Sequence, residues 1–306
     1  MSKRMNMHDL QMAPGFYRFM AGDIEVICLN DGTLLSDINA VKGASVGQVR
    51  KLFDESFFPL EVRCTTNNYI IRSKERMALV DTGAGPFIDK TAGKMLEHAA
   101  AAGILPANID TILFTHIHPD HISGLMDKNW NKVFPNARLK MHAAEFEFWL
   151  SADPQSKKIA HVKHEADHVI RFMTPCLDQI ELFEGGEVFP GVDAIALHGH
   201  TPGHTGFHIA SHGEEILIWG DIIHWPVVQF ALPDAAMTYD VDPVRATATR
   251  KEILNKAASS GLLVAGMHLY FPGFTRVRQE GDAFAMAPVP WGHAPFAKRS
   301  SAGTIA

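Results

Sequence analysis

The sequence contains few cysteines, no cluster of basic residues and no long apolar run. Its 306 residues include three cysteines, and Cys28, Cys64 and Cys176 are too widely spaced to form a CxxC pair. This spacing argues against a disulfide framework and against a thiolate metal site. We expect Cys28 and Cys64 to pack in the interior, because both lie in apolar or strand-like runs.

Basic residues are too scattered to form a surface for a polyanion. The formal net charge is -6, the pI is about 6.3, and no Lys/Arg cluster is longer than a pair such as Lys157–Lys158. Proteins that bind nucleic acid normally carry a basic patch or stripe. Nucleic acid is therefore not an expected partner.

No segment approaches the roughly 18 consecutive apolar residues of a membrane span. The N-terminal residues Met1–Pro14 mix charges with methionines and lack an apolar stretch of signal-peptide length. We therefore expect a cytoplasmic protein without a membrane partner. Residues 1–14 are expected to form a disordered tail or an arm on a partner subunit, and residues 15–306 a single domain.

What the sequence does contain is a mixture of short strands and helices. The predicted strands are Ile24–Leu29, Tyr69–Arg72, Met77–Val80, Thr111–Thr115, Ala194–Leu197, Phe207–Ile209, Ile216–Trp219 and Leu262–Ala265. The predicted helices are Pro86–Ala102, Ala143–Leu150, His161–Phe172 and Pro243–Ser259. This mixture indicates an α/β or α+β domain. The least regular parts, Asp31–Leu60 and Pro272–Ala306, are expected to form loops that cap a site.

The segment Thr111–Leu125 reads TILFTHIHPDHISGL and joins an apolar strand to an HxHxDH motif. Residues two apart in an extended chain point the same way, so His116 and His118 can converge on one point. The proline that follows turns the chain, which lets Asp120 and His121 face a second point. One short segment can thus supply ligands to two metal ions.

Imidazole and carboxylate ligands suit Zn²⁺, and Mn²⁺ or Fe²⁺ also fit them. The absence of cysteine from the motif favours an open catalytic site over a closed structural one. Three more residues of ligand type lie at the ends of strand-like runs, where rigid backbone holds a side chain firmly. They are His204, Asp221 and His268.

This order of residues resembles the metallo-β-lactamase superfamily, in which HxHxDH is followed by a histidine, a bridging aspartate and a last histidine. The resemblance implies an α+β fold, a four-layer αββα sandwich, with two metal ions at one edge. One ion would be held by His116, His118 and His204, the other by Asp120, His121 and His268, and Asp221 would bridge them. The VDTG segment resembles an early signature of the superfamily, in which the Asp81 carboxylate supports the metal loop from behind.

Several stretches further resemble the methyl parathion hydrolase and lactonase-like members of this superfamily. They include APGFYR, VDTGAG, THIHPDHISGLM, GHTPGHT and HLYFPG, and they extend from Ala13 to beyond Gly273. This resemblance implies a homodimer.

The residue three positions after the expected bridging aspartate is His224. Acyl-homoserine lactone lactonases place a tyrosine there, which helps to polarise the substrate carbonyl. His224 either donates a similar hydrogen bond or orients a ligand, and the sequence leaves both roles open. Trp225 and Phe230 lie close to Asp221 in a proline-containing stretch and are expected to line an apolar substrate pocket.

The resemblance implies hydrolysis by a hydroxide that bridges two zinc ions, with Asp120 accepting its proton. The expected substrate is a small neutral ester, a lactone such as an acyl-homoserine lactone, or an aryl phosphotriester. A thioester hydrolase of the glyoxalase II type is an alternative, although we find no basic group near the C-terminal end for an anionic glutathione substrate.

A non-catalytic metal-binding protein is the other alternative, and it would have a closed coordination sphere. The acidic balance argues against a nucleic-acid phosphodiesterase. A diiron reductase of this superfamily would have glutamate in place of His118 and would carry a flavin domain.

Overall fold

The computed structural model describes residues 13–59, 61–160 and 162–290. The expected N-terminal tail or arm therefore lies outside the described residues, apart from Ala13 and Pro14. The strands are β1 Phe16–Ala21, β2 Ile24–Leu35, β3 Val41–Lys42, β4 Arg63–Ser73, β5 Arg76–Val80, β6 Thr111–Leu113, β7 Arg138–His142, β8 Ile180–Phe183, β9 Gly186–Phe189, β10 Val192–Ala196, β11 Thr205–Ser211, β12 Glu214–Ile218, β13 Ala236–Met237, β14 Leu263–Ala265, β15 Phe274–Glu280 and β16 Ala283–Pro288. The helices are α1 Val46–Glu55, α2 Met95–Ala101, α3 Pro119–Ile122, α4 Ala143–Leu150, α5 Lys163–Met173, α6 Pro226–Gln229 and α7 Pro243–Ser260.

Two seven-stranded sheets carry the fold. The first sheet has the order β1-β2-β4-β5-β6-β7-β8, and the second has the order β16-β15-β14-β12-β11-β10-β9. Within the first sheet β5, β6, β7 and β8 run parallel, and within the second β12 and β14 run parallel. Ligands that follow parallel neighbouring strands leave the sheet at the same edge, which is where the site forms.

The two sheets pack face to face through alternate residues of their strands. Val26 and Ile71 from the first sheet share a buried cluster with Phe207 and Ile209 from the second. Because side chains alternate along a strand, the neighbouring residues face the other way. These strands are thus buried on both faces and read as nearly continuous apolar runs.

Helices cover the outer face of each sheet. Ile27 and Ile70 of the first sheet belong to one buried cluster with Phe172 of α5. Leu217 of the second sheet belongs to another with Leu254 of α7. The resulting helix–sheet–sheet–helix order confirms the αββα sandwich. No helix within the described ranges combines the length and the apolar character that crossing a bilayer requires.

The expected helix Pro86–Ala102 is wrong in its first half, because the helix begins only at Met95. Gly85 and Gly93 have φ of 55° and 77°, which no right-handed helix contains. The buried Asp31 carboxylate accepts hydrogen bonds from the backbone N–H of Ala84 at 2.8 Å and of Met95 at 2.9 Å. Residues 86–94 therefore form turns, and Asp31 accepts a hydrogen bond from the chain on each side of them.

The two segments that we expected to be irregular contain regular elements. Asp31–Leu60 includes α1, and Pro272–Ala306 includes β15 and β16. A signal for α1 is present in the sequence: Ser45 Oγ accepts from Gln48 N at 3.2 Å, and the Gln48 side chain accepts from Ser45 N at 2.9 Å. This reciprocal pair is a capping box.

Candidate metal centre

The HxHxDH segment leaves the first sheet at the end of β6 and turns into α3. His118 is the last extended residue, with φ −65° and ψ 159°, and Pro119 occupies the first helical turn. Proline suits this position because its nitrogen would lack a helical partner anyway. The turn therefore separates His116 and His118 from Asp120 and His121, as the sequence predicts.

Three ring nitrogens converge behind this turn, and we call His116, His118 and His200 the three-histidine group. His118 Nδ1 lies 3.1 Å from His116 Nε2 and 2.9 Å from His200 Nε2. His116 Nε2 and His200 Nε2 are 3.2 Å apart. All three side chains are buried.

A second set, Asp120, His121 and His268, lies beside the first, and we call it the Asp120 group. Its facing atoms lie within 4.8 Å of one another. His121 Nε2 is 3.6 Å from Asp120 Oδ2, and His268 Nε2 is 3.7 Å from the same oxygen. The three-histidine group offers three nitrogens, and the Asp120 group offers two nitrogens and a carboxylate oxygen, all donors that suit divalent transition metals.

Asp221 connects the two groups. Its Oδ2 lies 3.7 Å from His116 Nε2 and 3.5 Å from His200 Nε2 on one side. On the other side it lies 3.3 Å from His121 Nε2 and 3.0 Å from His268 Nε2. One carboxylate thus faces ligands of both groups, which is the geometry of a bridging residue.

The donor atoms fit divalent metal ions. Asp221 Oδ1 is buried without a hydrogen-bond partner, and so is His121 Nε2. Burial lowers the pKa of His116 and of His118 well below the ordinary value, so these rings are neutral and offer lone pairs. Tetrahedral zinc with Zn–N bonds of about 2.0–2.1 Å would separate its ligand nitrogens by roughly 3.3 Å. The spacing in the three-histidine group is close to that value.

His204, which the sequence analysis placed among the ligands, lies outside both groups. Its Nδ1 donates to the Leu197 carbonyl at 2.8 Å, and its Nε2 accepts from the Asp221 backbone N–H at 3.0 Å. Burial lowers its pKa to about 3, so the ring is neutral and both nitrogens are engaged. A Cβ on Gly220 would lie 2.3 Å from His204 Nε2, so glycine is needed for this close packing. His204 thus binds the Asp221 backbone, and His200 lies beside His116 and His118, where the sequence analysis expected His204.

Three rings of the two groups are oriented through their Nδ1 atoms. His121 Nδ1 lies 2.8 Å from Asp81 Oδ2, His200 Nδ1 lies 2.8 Å from Asp240 Oδ1, and His268 Nδ1 lies 2.8 Å from the Thr65 carbonyl. Such partners fix the tautomer and leave Nε2 free for a metal ion.

Asp81 therefore lies where the sequence analysis expected it. It also accepts from the N–H of Thr115 at 2.8 Å and from its hydroxyl at 2.7 Å, which joins it to the HxHxDH strand. Asp240 is a residue that sequence reasoning missed, because nothing local distinguishes it from other aspartates.

A cavity of about 390 Å³ opens beside the Asp120 group. His224 and His268 lie on its polar side, and Phe58, Trp225 and Tyr270 are among its apolar walls. Burial lowers the pKa of His224 to about 4, so its ring is neutral. The Nδ1 of that ring is buried without a hydrogen-bond partner, and Nε2 lies 3.1 Å from Asp221 Oδ2.

The structure brings Trp225 to this cavity but not Phe230. Trp225 contacts Phe53 of α1 edge-on, with ring centroids 5.8 Å apart. Phe230 is buried in the cluster below the second sheet, 6.4 Å from the Trp219 ring. Trp225 precedes α6 with extended backbone and Phe230 follows it, so the two side chains leave opposite ends of this short helix. The expected pocket role of Phe230 is corrected to core packing.

Residues 62–268 match the metallo-beta-lactamase superfamily, and this range contains every member of the three-histidine and Asp120 groups. The chain belongs to this superfamily. The expected family and fold are thereby confirmed, while the narrower likeness to methyl parathion hydrolase stays a prediction.

Curated relatives of this superfamily member include two kinds of hydrolase. A hydroxyacylglutathione hydrolase of Aeromonas salmonicida (strain A449) is 31% identical over 173 residues, which are 54% of this chain and 50% of that protein. An N-acyl homoserine lactonase of a Bacillus species is 28% identical over 161 residues, which are 46% of this chain and 56% of that protein. The chain thus spans about half the length of the curated relatives it matches.

Two solved structures match over nearly their whole length. The hydrolase AbOPH of the beta lactamase superfamily has a TM-score of 0.85 and 29% identity, covering 92% of this chain and 100% of that chain. AidC, a dizinc quorum-quenching lactonase, has a TM-score of 0.85 and 26% identity, covering 91% of this chain and 99% of that chain.

Proposed function

We propose that this protein is a metal-dependent hydrolase of a small neutral ester or lactone, acyl-homoserine lactones included, or of an aryl phosphotriester. One observation carries the proposal. Two groups of histidine and carboxylate ligands share Asp221, and they adjoin an apolar cavity through His224 and His268. The likeness to a dizinc lactonase over nearly the whole chain supports it.

Two zinc ions are the proposed cofactors, and Mn²⁺ or Fe²⁺ also suit the donors. His116, His118 and His200 would hold one ion, Asp120, His121 and His268 would hold the other, and Asp221 would contact both. When bound, such a pair lowers the pKa of water to make a nucleophile and stabilises negative charge on the substrate oxygen.

Asp120 and His224 are the proposed catalytic residues of the chain itself. The Asp120 carboxylate is 20% exposed while its neighbour His121 is 1% exposed, so it reaches the open side of the site. This exposure supports the proposal that Asp120 accepts the proton that the attacking water loses. His224 is neutral and lines the cavity, so a ring N–H is available to the carbonyl or phosphoryl oxygen of the substrate.

The cavity favours an apolar substituent next to the reacting bond. The rings of Phe58 and Tyr270 stack on its wall, with centroids 4.9 Å apart. Its charged lining residues, Glu61 and Arg63, form an ion pair with each other. A neutral acyl chain or aryl group suits this lining better than an anionic peptide does.

Glutathione thioesters are the second candidate substrates, because a hydroxyacylglutathione hydrolase is among the curated relatives. A turnover panel on metal-quantified protein separates the candidates. It would compare acyl-homoserine lactones, aliphatic and aryl lactones, aryl phosphotriesters, a β-lactam and a glutathione thioester by kcat/KM. Preference for the thioester would overturn the proposal, and no turnover of any member would favour the non-catalytic alternative. The expected homodimer is tested by sedimentation of the same samples.

His224→Ala is expected to lower kcat for lactones by on the order of 10²-fold, as the loss of one oxyanion donor does in other hydrolases. Metal content should stay unchanged, because each proposed ion has three other donors and Asp221, although His224 also lies within 4.8 Å of donor atoms of His200 and Asp221. Steady-state kinetics and metal analysis on one preparation check both statements. Loss of an ion in this variant would instead make His224 a ligand or a residue that orients one.

Phe58→Ala is expected to raise KM for substrates with long acyl or aryl groups by roughly tenfold, since burying part of an aromatic ring contributes about 1–2 kcal/mol. Substrates with an acetyl-sized group should change little. Phe57→Ala is the matched control, because Phe57 is adjacent, 95% exposed and absent from the cavity lining. Equal effects of the two variants would remove the proposed substrate pocket.

A further inference from the structure

A fully buried carboxylate, Glu145, lies behind the three-histidine group and contacts none of its ligand atoms. It is in the first turn of α4 and is 0% exposed. No salt bridge in the described part of the chain includes it. A buried carboxylate without an ion pair must be stabilised by hydrogen-bond donors.

Four donors surround this carboxylate, and they come from three segments. Oε1 accepts from Gly203 N at 2.9 Å and from the Thr201 hydroxyl. Oε2 accepts from Trp149 Nε1 at 2.8 Å. The backbone N–H of Ile117 also faces the carboxylate and favours its charged form. Both oxygens are therefore used.

These donors flank the ligands of one ion only. Ile117 lies between His116 and His118, while Thr201 follows His200 in the chain. Trp149 in turn contacts the His118 ring edge-on, with centroids 5.5 Å apart. Glu145 thus contacts residues next to the three-histidine group: Thr201 beside His200, and Trp149, which packs on the His118 ring.

The GHTPGH turn sits directly on α4 at this point. A Cβ on Gly203 would lie 2.6 Å from Glu145 N and 2.7 Å from Glu145 Cγ, so glycine permits the contact. The Asp120 group has a separate support, since Asp81 orients His121 from the other side. Asp81 also binds Thr115, next to His116, so it contacts the segments of both groups, whereas the contacts of Glu145 lie on the side of the three-histidine group.

We propose that Glu145 is a positioning residue that holds the HxHxDH loop and the GHTPGH turn in register, and thereby sets the affinity of the three-histidine group for its metal ion. The inference rests on the proposed metal-dependent function. It assigns Glu145 no contact with substrate or metal.

The test is a Zn²⁺ titration of metal-free protein against a chromophoric chelator, which gives two dissociation constants. His200→Ala and Asp120→Ala identify which constant belongs to which group. In Glu145→Gln an amide N–H must face a donor, so the constant of the three-histidine group should rise about 10- to 100-fold. The constant of the Asp120 group should stay as in the wild type. Glu147→Gln is the matched control on the same helix, because Glu147 is exposed.

Thr201→Val provides a second variant that removes one donor and keeps the acid. It should raise the dissociation constant of the three-histidine group. Adding it to Glu145→Gln should lower the affinity little further, because both substitutions act through one contact. Wild-type constants in Glu145→Gln would overturn the inference. An equal rise of both dissociation constants, together with lower stability of the metal-free form, would also overturn it, because a purely structural role predicts that result. A wild-type protein that binds no ion would instead overturn the proposed function, and this inference with it.

Discussion

Asp221→Ala is expected to lower kcat/KM by at least about 10³-fold and to reduce metal content below that of any variant in a single group. The reason is its position, since one carboxylate oxygen lies within 3.7 Å of nitrogens from both groups. Ions that stabilise transition-state charge supply several kcal/mol, and about 4 kcal/mol corresponds to 10³-fold in rate. Metal analysis and kinetics measure the two effects together.

Asp193→Ala is the control for that substitution. Asp193 is exposed on β10, and replacing it by alanine removes the same charge. It should leave activity and metal content unchanged. Asp221→Ala protein that kept two ions and its activity would contradict the shared-carboxylate arrangement.

His200→Ala and His204→Gln are expected to differ in metal content. His200→Ala should lose about one ion per chain and, with it, roughly 10³-fold in kcat/KM, because a nitrogen of the three-histidine group is gone. His204→Gln should keep both ions, because His204 uses both ring nitrogens on backbone partners. We expect it to lower the free energy of unfolding by about 1–3 kcal/mol, because the buried Leu197 carbonyl loses its hydrogen-bond donor.

The reverse result is equally informative. If His204→Gln lost an ion while His200→Ala kept two, the ligand would be the second histidine of GHTPGH, as the sequence analysis assigned it. Denaturant unfolding of the two metal-free variants gives their free energies of unfolding. It shows whether a variant binds less metal because a donor atom is missing or because its fold is less stable.

That ambiguity shows which parts of the site the sequence could predict. The HxHxDH ligands and Asp221 follow directly from strands whose alternation and ends are visible locally. The choice between His200 and His204 depends on the fold. The Asp240 carboxylate, which selects His200, lies 40 positions further along the chain. No local pattern records such a contact.

The same distinction applies to the fold. The apolar run of β5 predicts that strand well, whereas only Tyr69–Arg72 is predicted of β4, because the first half of β4 reads RCTTNN and is polar. The start of α2 depends on Asp31, which is 64 positions away from Met95 in the chain. The cavity beside the Asp120 group is lined in part by Phe53 of α1, whose capping signal at Ser45 lies inside a segment that the sequence analysis expects to be irregular.

The origin of the ligands has a consequence for the molecule as a whole. The HxHxDH residues leave the first sheet after β6, whereas Asp221 and His268 leave the second sheet after β12 and β14. Bound ions would therefore link the two sheets of the sandwich at the edge where these strands end. Occupancy and global stability are then thermodynamically linked, and each loaded ion raises the melting temperature by mass action.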